Sequence, residues 1–170
     1  PLYDGRLSVG AAGERIDRYY RPYHFQLAEV FDGLAARFGQ AWLVNCHSMP
    51  SAGLPSGRRG VRGVDFVIGD RDGATAEKAF VEFIAVRLRA MGYSVAVNQP
   101  YKGVEIVRRY GDPSRGRHAV QLEINRCLYM NEETLEKTHG FDDLRCAMTA
   151  LAADVCAYAA TATARPAAAE

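Results

Sequence analysis

The 170-residue sequence has almost no net charge: 21 Lys and Arg stand against 20 Asp and Glu, a formal +1. Proteins that grip a nucleic-acid backbone carry a basic surplus, so no DNA or RNA partner is expected. Cysteine is scarce, and Cys46, Cys127, Cys146 and Cys156 form no CxxC pair and no regular spacing. That argues against a disulfide framework and for reduced thiols in a cytoplasmic protein. No run approaches the ~20 apolar residues of a membrane span and no basic-then-apolar leader precedes the domain, so no membrane association is expected. Internal repeats are missing, and low complexity is confined to the Ala/Thr/Pro tail at 161–170, which is expected to fray. The chain opens on Pro-Leu-Tyr-Asp instead of Met, as a piece of a longer protein would. What is present, 48% apolar and 24% charged residues, suits one soluble core over about residues 1–160.

Tyr19, Tyr23, Leu27, Val30, Phe31, Leu34 and Phe38 recur three or four apart, which predicts an amphipathic helix over 19–38 ending at Gly39. Ala41 to Cys46 has the length and apolarity of a strand, and a Ser/Pro/Gly/Arg segment from Ser48 to Gly63 follows as a long loop. Val64–Ile68 reads as a second strand and Gly69 to Gly73 as a turn. Thr75 can cap a helix that carries Phe80, Phe83, Ile84, Leu88 and Met91 on one face and stops at Gly92. Tyr93–Val97, Val104–Val107 and His118–Asn125 have strand character, and Phe141 to Tyr158 carries the stripe of a final helix. Alternation of this kind predicts an α/β fold, a mixed and mostly parallel central sheet flanked by helices, with site residues beyond the strand ends.

Asn45-Cys46-His47-Ser48 falls where the first strand meets its loop. Strand periodicity puts Asn45 and His47 on one face and Cys46 on the other, so Cys46 and His47 cannot form a nucleophile–base pair and a thiol hydrolase is disfavoured. A hydrogen-bonded loop histidine is the plain reading of His47; a metal or catalytic role is the alternative. In His118 to Arg126, Val120, Leu122 and Ile124 alternate with Gln121, Glu123 and Asn125. The polar face suits a half-exposed edge strand, or an interior strand on which Glu123 is a partly buried carboxylate at a cleft, the usual general base beside a metal-activated water. Both readings stay open on pattern alone. Asn98 to Gly103 and the pair Arg108-Arg109 are further candidates, since an Arg fork near an element's end can hold a substrate carboxylate, although surface solvation explains both. Arg58, Arg59 and Arg62 read as a solvated basic loop.

Four stretches together resemble the N-formylglutamate amidohydrolase family: Tyr20 to His24, Asn45 to Ser51, Asn98 to Gly111, and His118 to Glu132 with its Leu-Glu-Ile-Asn-Arg-Cys-Leu-Tyr-Met-Asn-Glu core. The resemblance implies a zinc-carboxypeptidase-like fold and one Zn2+ held by three protein ligands, of which His47 matches the last. It further implies Glu123 as the carboxylate that activates water, Arg108 as partner of a substrate carboxylate, and Asn98, Tyr101, Asn125 and Arg126 as residues lining the site. The implied reaction is hydrolysis of N-formyl-L-glutamate, or a similar small acidic N-acyl amino acid, to glutamate and formate at the end of a histidine-degradation route. Relatives usually have Asp where this chain has Asn45, which removes a charge beside the metal. The family's other two ligands lie ahead of the point where this sequence begins. The alternative, from a different class, is a non-catalytic anion-binding module that keeps the fold without a complete metal site.

Overall fold

A computed structural model describes residues 5–52 and 63–164. The first helical stretch is longer than its apolar stripe. Helix α1 (Val9–Arg15), capped by the Ser8 hydroxyl, passes through a π-helical turn at Ile16–Tyr20 into α2 (Arg21–Phe38). Gly39, at φ 77°, ends α2 in the left-handed conformation that glycine adopts at least cost. Strand β1 (Ala41–Met49) outruns the apolar segment, so His47 and Ser48 stand on the strand itself and not in the following loop.

Strands β2 (Phe66–Gly69) and β3 (Val95–Val97) flank α3 (Lys78–Ala90) in sequence, and β4 is Arg117–Asn125. The order across the sheet is β1-β4-β2-β3. β1 runs parallel to β4 and β2 parallel to β3, while β2 and β4 are antiparallel. The sheet is therefore mixed and mostly parallel, as the α/β pattern predicts, and β4 is interior.

Two predicted details change. Val104–Val107 is not a strand, because residues 105–110 form helix α4 (Glu105–Tyr110). The β-branched residues there bury Val107 and Tyr110 as a helical face and turn Arg108 and Arg109 outward, so packing overrides strand propensity. Thr75 does not cap α3; Glu77 occupies that position, and the Thr75 hydroxyl donates to the Ala119 carbonyl.

One face of the sheet, carrying Phe66, Ile68, Val120 and Leu122, packs against α3 and the long helix α5 (Gly140–Ala164). By length and composition alone α5 could cross a membrane, which corrects the expectation that no segment qualifies. In this fold it lies against α3 and the sheet along one side, burying Leu144 and Leu151. Tyr158 lies over Phe83 with ring centroids 4.7 Å apart, and Asp154 accepts from Arg87 at 2.7 Å. It also continues to Ala164, beyond the expected start of fraying at 161.

On the other face Ala41 packs with Phe31 of α2 and Tyr110 of α4, and His24 accepts from or donates to the Tyr110 hydroxyl at 2.7 Å. These helices cover only the lower part of that face. Arg58, Arg59 and Arg62 lie outside the described residues.

Candidate active site

Beyond these helices the second face continues toward the carboxyl ends of β1 and β4, where a parallel pair presents its side chains to a crevice. The register sets Asn45 opposite Gln121 and His47 opposite Glu123, so alternation brings four polar side chains onto one patch. Cys46 falls opposite Leu122 on the far face, as the periodicity requires. His47 Nδ1 stands 3.9 Å from Glu123 Oε1; the imidazole is 41% exposed and the carboxylate 7%. Asn45 Nδ2 lies 3.0 Å from His47 Nε2 and donates to it in the tautomer that keeps the ring proton on Nδ1.

Glu123 is held from beneath. Gln121 Nε2 donates to Glu123 Oε1 at 2.7 Å, and Gln121 Oε1 accepts from the Val104 backbone N–H at 3.1 Å, so the backbone fixes which end of the amide faces the carboxylate. The segment delivering Val104 is seated on β2 without room to spare. A Cβ on Gly69 would meet the Gly103 nitrogen at 2.5 Å, and Gly103 itself takes φ 92°.

Arg126 Nε donates to Ser48 Oγ at 3.1 Å across the strand ends. Ser51 donates through its N–H and hydroxyl to Glu132, at 3.1 and 3.2 Å from the nitrogen, which pins the start of the loop after β1 to the segment after β4. Tyr101 packs on the cluster of Met49, Val64 and Val67, of which Val67 stands opposite Glu123.

The other candidates have partners of their own. Asn125 is fully buried; its amide donates to the Val64 carbonyl at 3.1 Å and its oxygen accepts from Cys127 N at 3.1 Å. Asn98 exchanges two hydrogen bonds with buried Asp70 (2.6 and 3.0 Å). Arg108 lies on the exposed side of α4 and grips Glu105 through Nε and Nη2, at 3.1 and 2.7 Å. That bond holds the Glu105 carboxyl below its ordinary range. Gln121 is the residue that sequence reasoning passed over as a site member; its signal is its place two residues before Glu123 on the same strand face.

A family model described as N-formylglutamate amidohydrolase matches residues 1–130. The chain belongs to the N-formylglutamate amidohydrolase family. It is 39% identical over 140 residues to the N-formylglutamate deformylase of Pseudomonas aeruginosa, covering 78% of this chain and 50% of that protein. The Pseudomonas putida N-formylglutamate deformylase is 39% identical over 137 residues with the same coverage. The solved N-formylglutamate amidohydrolase of Ralstonia eutropha JMP134 superposes with a TM-score of 0.86 at 41% identity, over 95% of this chain and 59% of that one. The chain thus spans about half the length of the curated relatives it matches.

A catalytic zinc takes three protein ligands and keeps a fourth position open. Among the described residues no three His, Cys, Asp or Glu side chains converge. His47 can supply one ligand and Glu123 a neighbouring carboxylate, so within this amidohydrolase-family chain the donor set for zinc is partial.

Proposed function

We propose that this chain contributes the general base and one metal-ligating imidazole to an amidohydrolase acting on N-formyl-L-glutamate or a similar acidic N-acyl amino acid. The observation that carries the reading is the pairing of His47 with buried Glu123 at the carboxyl ends of two parallel strands, in a chain of this family. A bound zinc would supply Lewis-acid polarisation and ease the deprotonation of water. Glu123 then takes a proton from the attacking water as its oxygen bonds to the formyl carbon. It returns that proton to the nitrogen as the C–N bond breaks, leaving formate and the amino acid. Gln121 keeps one carboxylate oxygen occupied, so Oε2 is the oxygen that handles the proton. Arg108 would exchange Glu105 for a substrate carboxylate. The free thiols of Cys46, Cys146 and Cys156 support a cytoplasmic location as part of the same proposal.

The test is a chimera in which this chain replaces the matched 140-residue segment of the Pseudomonas aeruginosa relative. It should release formate from N-formylglutamate, and Glu123→Gln should lower kcat by about two to four orders of magnitude, the usual contribution of a positioned base. A fall of less than tenfold would return Glu123 to a structural role.

A further inference from the structure

Trp42, the single tryptophan of the sequence, stacks on His118 with ring centroids 5.5 Å apart and planes 22° from parallel. The pair stands at the amino ends of β1 and β4, the end of the sheet away from the candidate active site. His118 is 3% exposed and ties together three other parts of the fold. Its Nδ1 accepts from the Glu77 backbone N–H at the start of α3 (3.2 Å), so the neutral ring carries its proton on Nε2. Nε2 then donates to Gln40 Oε1, between α2 and β1, at 3.3 Å. Glu77 Oε1 in turn accepts from the Tyr158 hydroxyl of α5 at 3.0 Å. Burial, together with that bond and the charge of Glu77, pushes the Tyr158 pKa up to about 12, so the phenol stays a donor. Of the groups facing the ring, α3 supplies the carboxylate of Glu77, α5 the phenol of Tyr158, and the α2–β1 connection the neutral Gln40. Arg117 points to the opposite face of the sheet, where it pairs with Asp32 of α2 at 2.8 Å.

A second proton on this ring would set two N–H groups against each other at 3.2 Å, repelling the Glu77 backbone while attracting the Glu77 carboxylate. The strand cannot yield, because Arg117 N donates to the Asp112 carbonyl at 3.0 Å and Ala119 N to the Thr75 carbonyl at 2.7 Å. Glu77 is therefore the residue that turns. Its Oε1 stands 4.0 Å from His118 Nε2 and must close to about 2.8 Å to form a charge-assisted bond. A displacement of that size is enough to break the hydrogen bond to Tyr158. Tyr158 matters because, past Leu151, none of the described side chains of α5 is buried. The Arg87–Asp154 pair, Val155 and Tyr158 hold that half to the body. We propose that His118 is an acid-triggered latch, whose protonation draws Glu77 off Tyr158 and releases residues 152–164 of α5 while the half anchored by Leu144 and Leu151 stays in place. Burial holds the His118 imidazole below its ordinary pKa, against the charge of Glu77. The released state exposes the ring and takes up the proton first, so the latch is closed above about pH 6.5 and opens as pH falls below it. The latch uses no residue of the candidate active site, and its test needs no metal and no substrate.

The experiment is amide hydrogen exchange of the 170-residue chain at pH 7.5 and pH 5.5, read as protection factors corrected for intrinsic rates. Protection over residues 152–164 should fall on the order of tenfold, the limit for one proton taken up across about one pH unit below 6.5, while residues 140–150 and the sheet keep theirs. Trp42 fluorescence should titrate with the same midpoint, because the indole reports the charge of the ring stacked on it. His118→Gln can still accept from the Glu77 N–H and donate to Gln40 but does not titrate, so residues 152–164 should be equally protected at both pH values. If that variant does not fold, Tyr158→Phe carries the test. Without the hydroxyl, residues 152–164 should exchange about ten times faster already at pH 7.5 and respond no further to acid. Unchanged protection of residues 152–164 in the parent chain overturns the proposal, as does a loss shared equally by all of α5 and the sheet. A pH response that persists in His118→Gln or in Tyr158→Phe overturns it too.

Discussion

Replacing Gln121 by Leu tests whether the glutamine and Glu123 act as a unit. The substitution removes the 2.7 Å hydrogen bond to Glu123 and the 3.1 Å bond to Val104 N–H. The two losses are unequal. Val104 is 58% exposed, so water can replace its lost acceptor at little cost. Gln121 and Glu123 are 3% and 6% exposed, and the carboxylate loses a bond that solvent cannot easily restore. A hydrogen bond to a carboxylate contributes roughly 1.5–3 kcal/mol, so Gln121→Leu should destabilise the chain by about that amount. The sharper measurement is the cycle with Glu123→Leu, read by urea unfolding of the 170-residue chain at pH 7. Removing both partners should cost less than the sum of the single changes by about 1.5–3 kcal/mol. A coupling energy below about 0.5 kcal/mol, the level of independent sites, would show that the two side chains do not act together and refute the reasoning.

Gly69→Ala should destabilise by about 1–3 kcal/mol, because its Cβ meets Gly103 backbone at 2.5 Å, whereas Gly33→Ala on exposed α2 meets nothing and should stabilise by about 0.5–1 kcal/mol; thermal unfolding of both variants compares them. Burial holds the His118 imidazole below its ordinary pKa, against the opposing charge of Glu77. The unfolded chain therefore takes up the proton first, and stability should fall as pH drops below about 6.5, by at most about 1.4 kcal/mol per pH unit for one proton, with His118→Gln flattening the slope in urea titrations from pH 7.5 to 5. In the chimera, Arg108→Lys should lower kcat/KM for N-formylglutamate on the order of ten- to a hundredfold, while Glu105→Gln, which releases the guanidinium, should lower KM; unchanged kinetics in both would remove Arg108 from the site.

The elements whose signal is local were legible. The stripe from Tyr23 to Phe38 and the alternation through Val120, Leu122 and Ile124 each encode which side faces the core, and α2 and β4 follow them. The same alternation put Asn45 with His47 and Gln121 with Glu123, but bringing the two pairs together required the β1–β4 register, which no local pattern carries. Whether β4 is edge or interior was equally undecidable from pattern. A polar face covered by a neighbouring loop looks the same in sequence as one facing water. Val104 to Val107 misleads because valine and isoleucine suit a strand, and only contact with Phe31 and Ala41 through Tyr110 and Ile106 makes a helix the better burial. Asn98 and Asn125 read as site residues by resemblance, and their hydrogen bonds show loops being held in place: Asn98 to Asp70, Asn125 to Val64.

The position of β4 also bears on how the chain reaches its native state. Among the described strands it is the last in sequence yet interior in space, with Ala41 paired to Arg117 on one side and Phe66 to Ile124 on the other. Among the described strands β1 gains its partner only when residues 117–125 are in place, and until then β2 pairs only with β3. Such non-local pairing closes its loops late and slows folding. Translation pauses or chaperone binding before residue 125 would therefore govern the yield of soluble chain more than changes in the helices would.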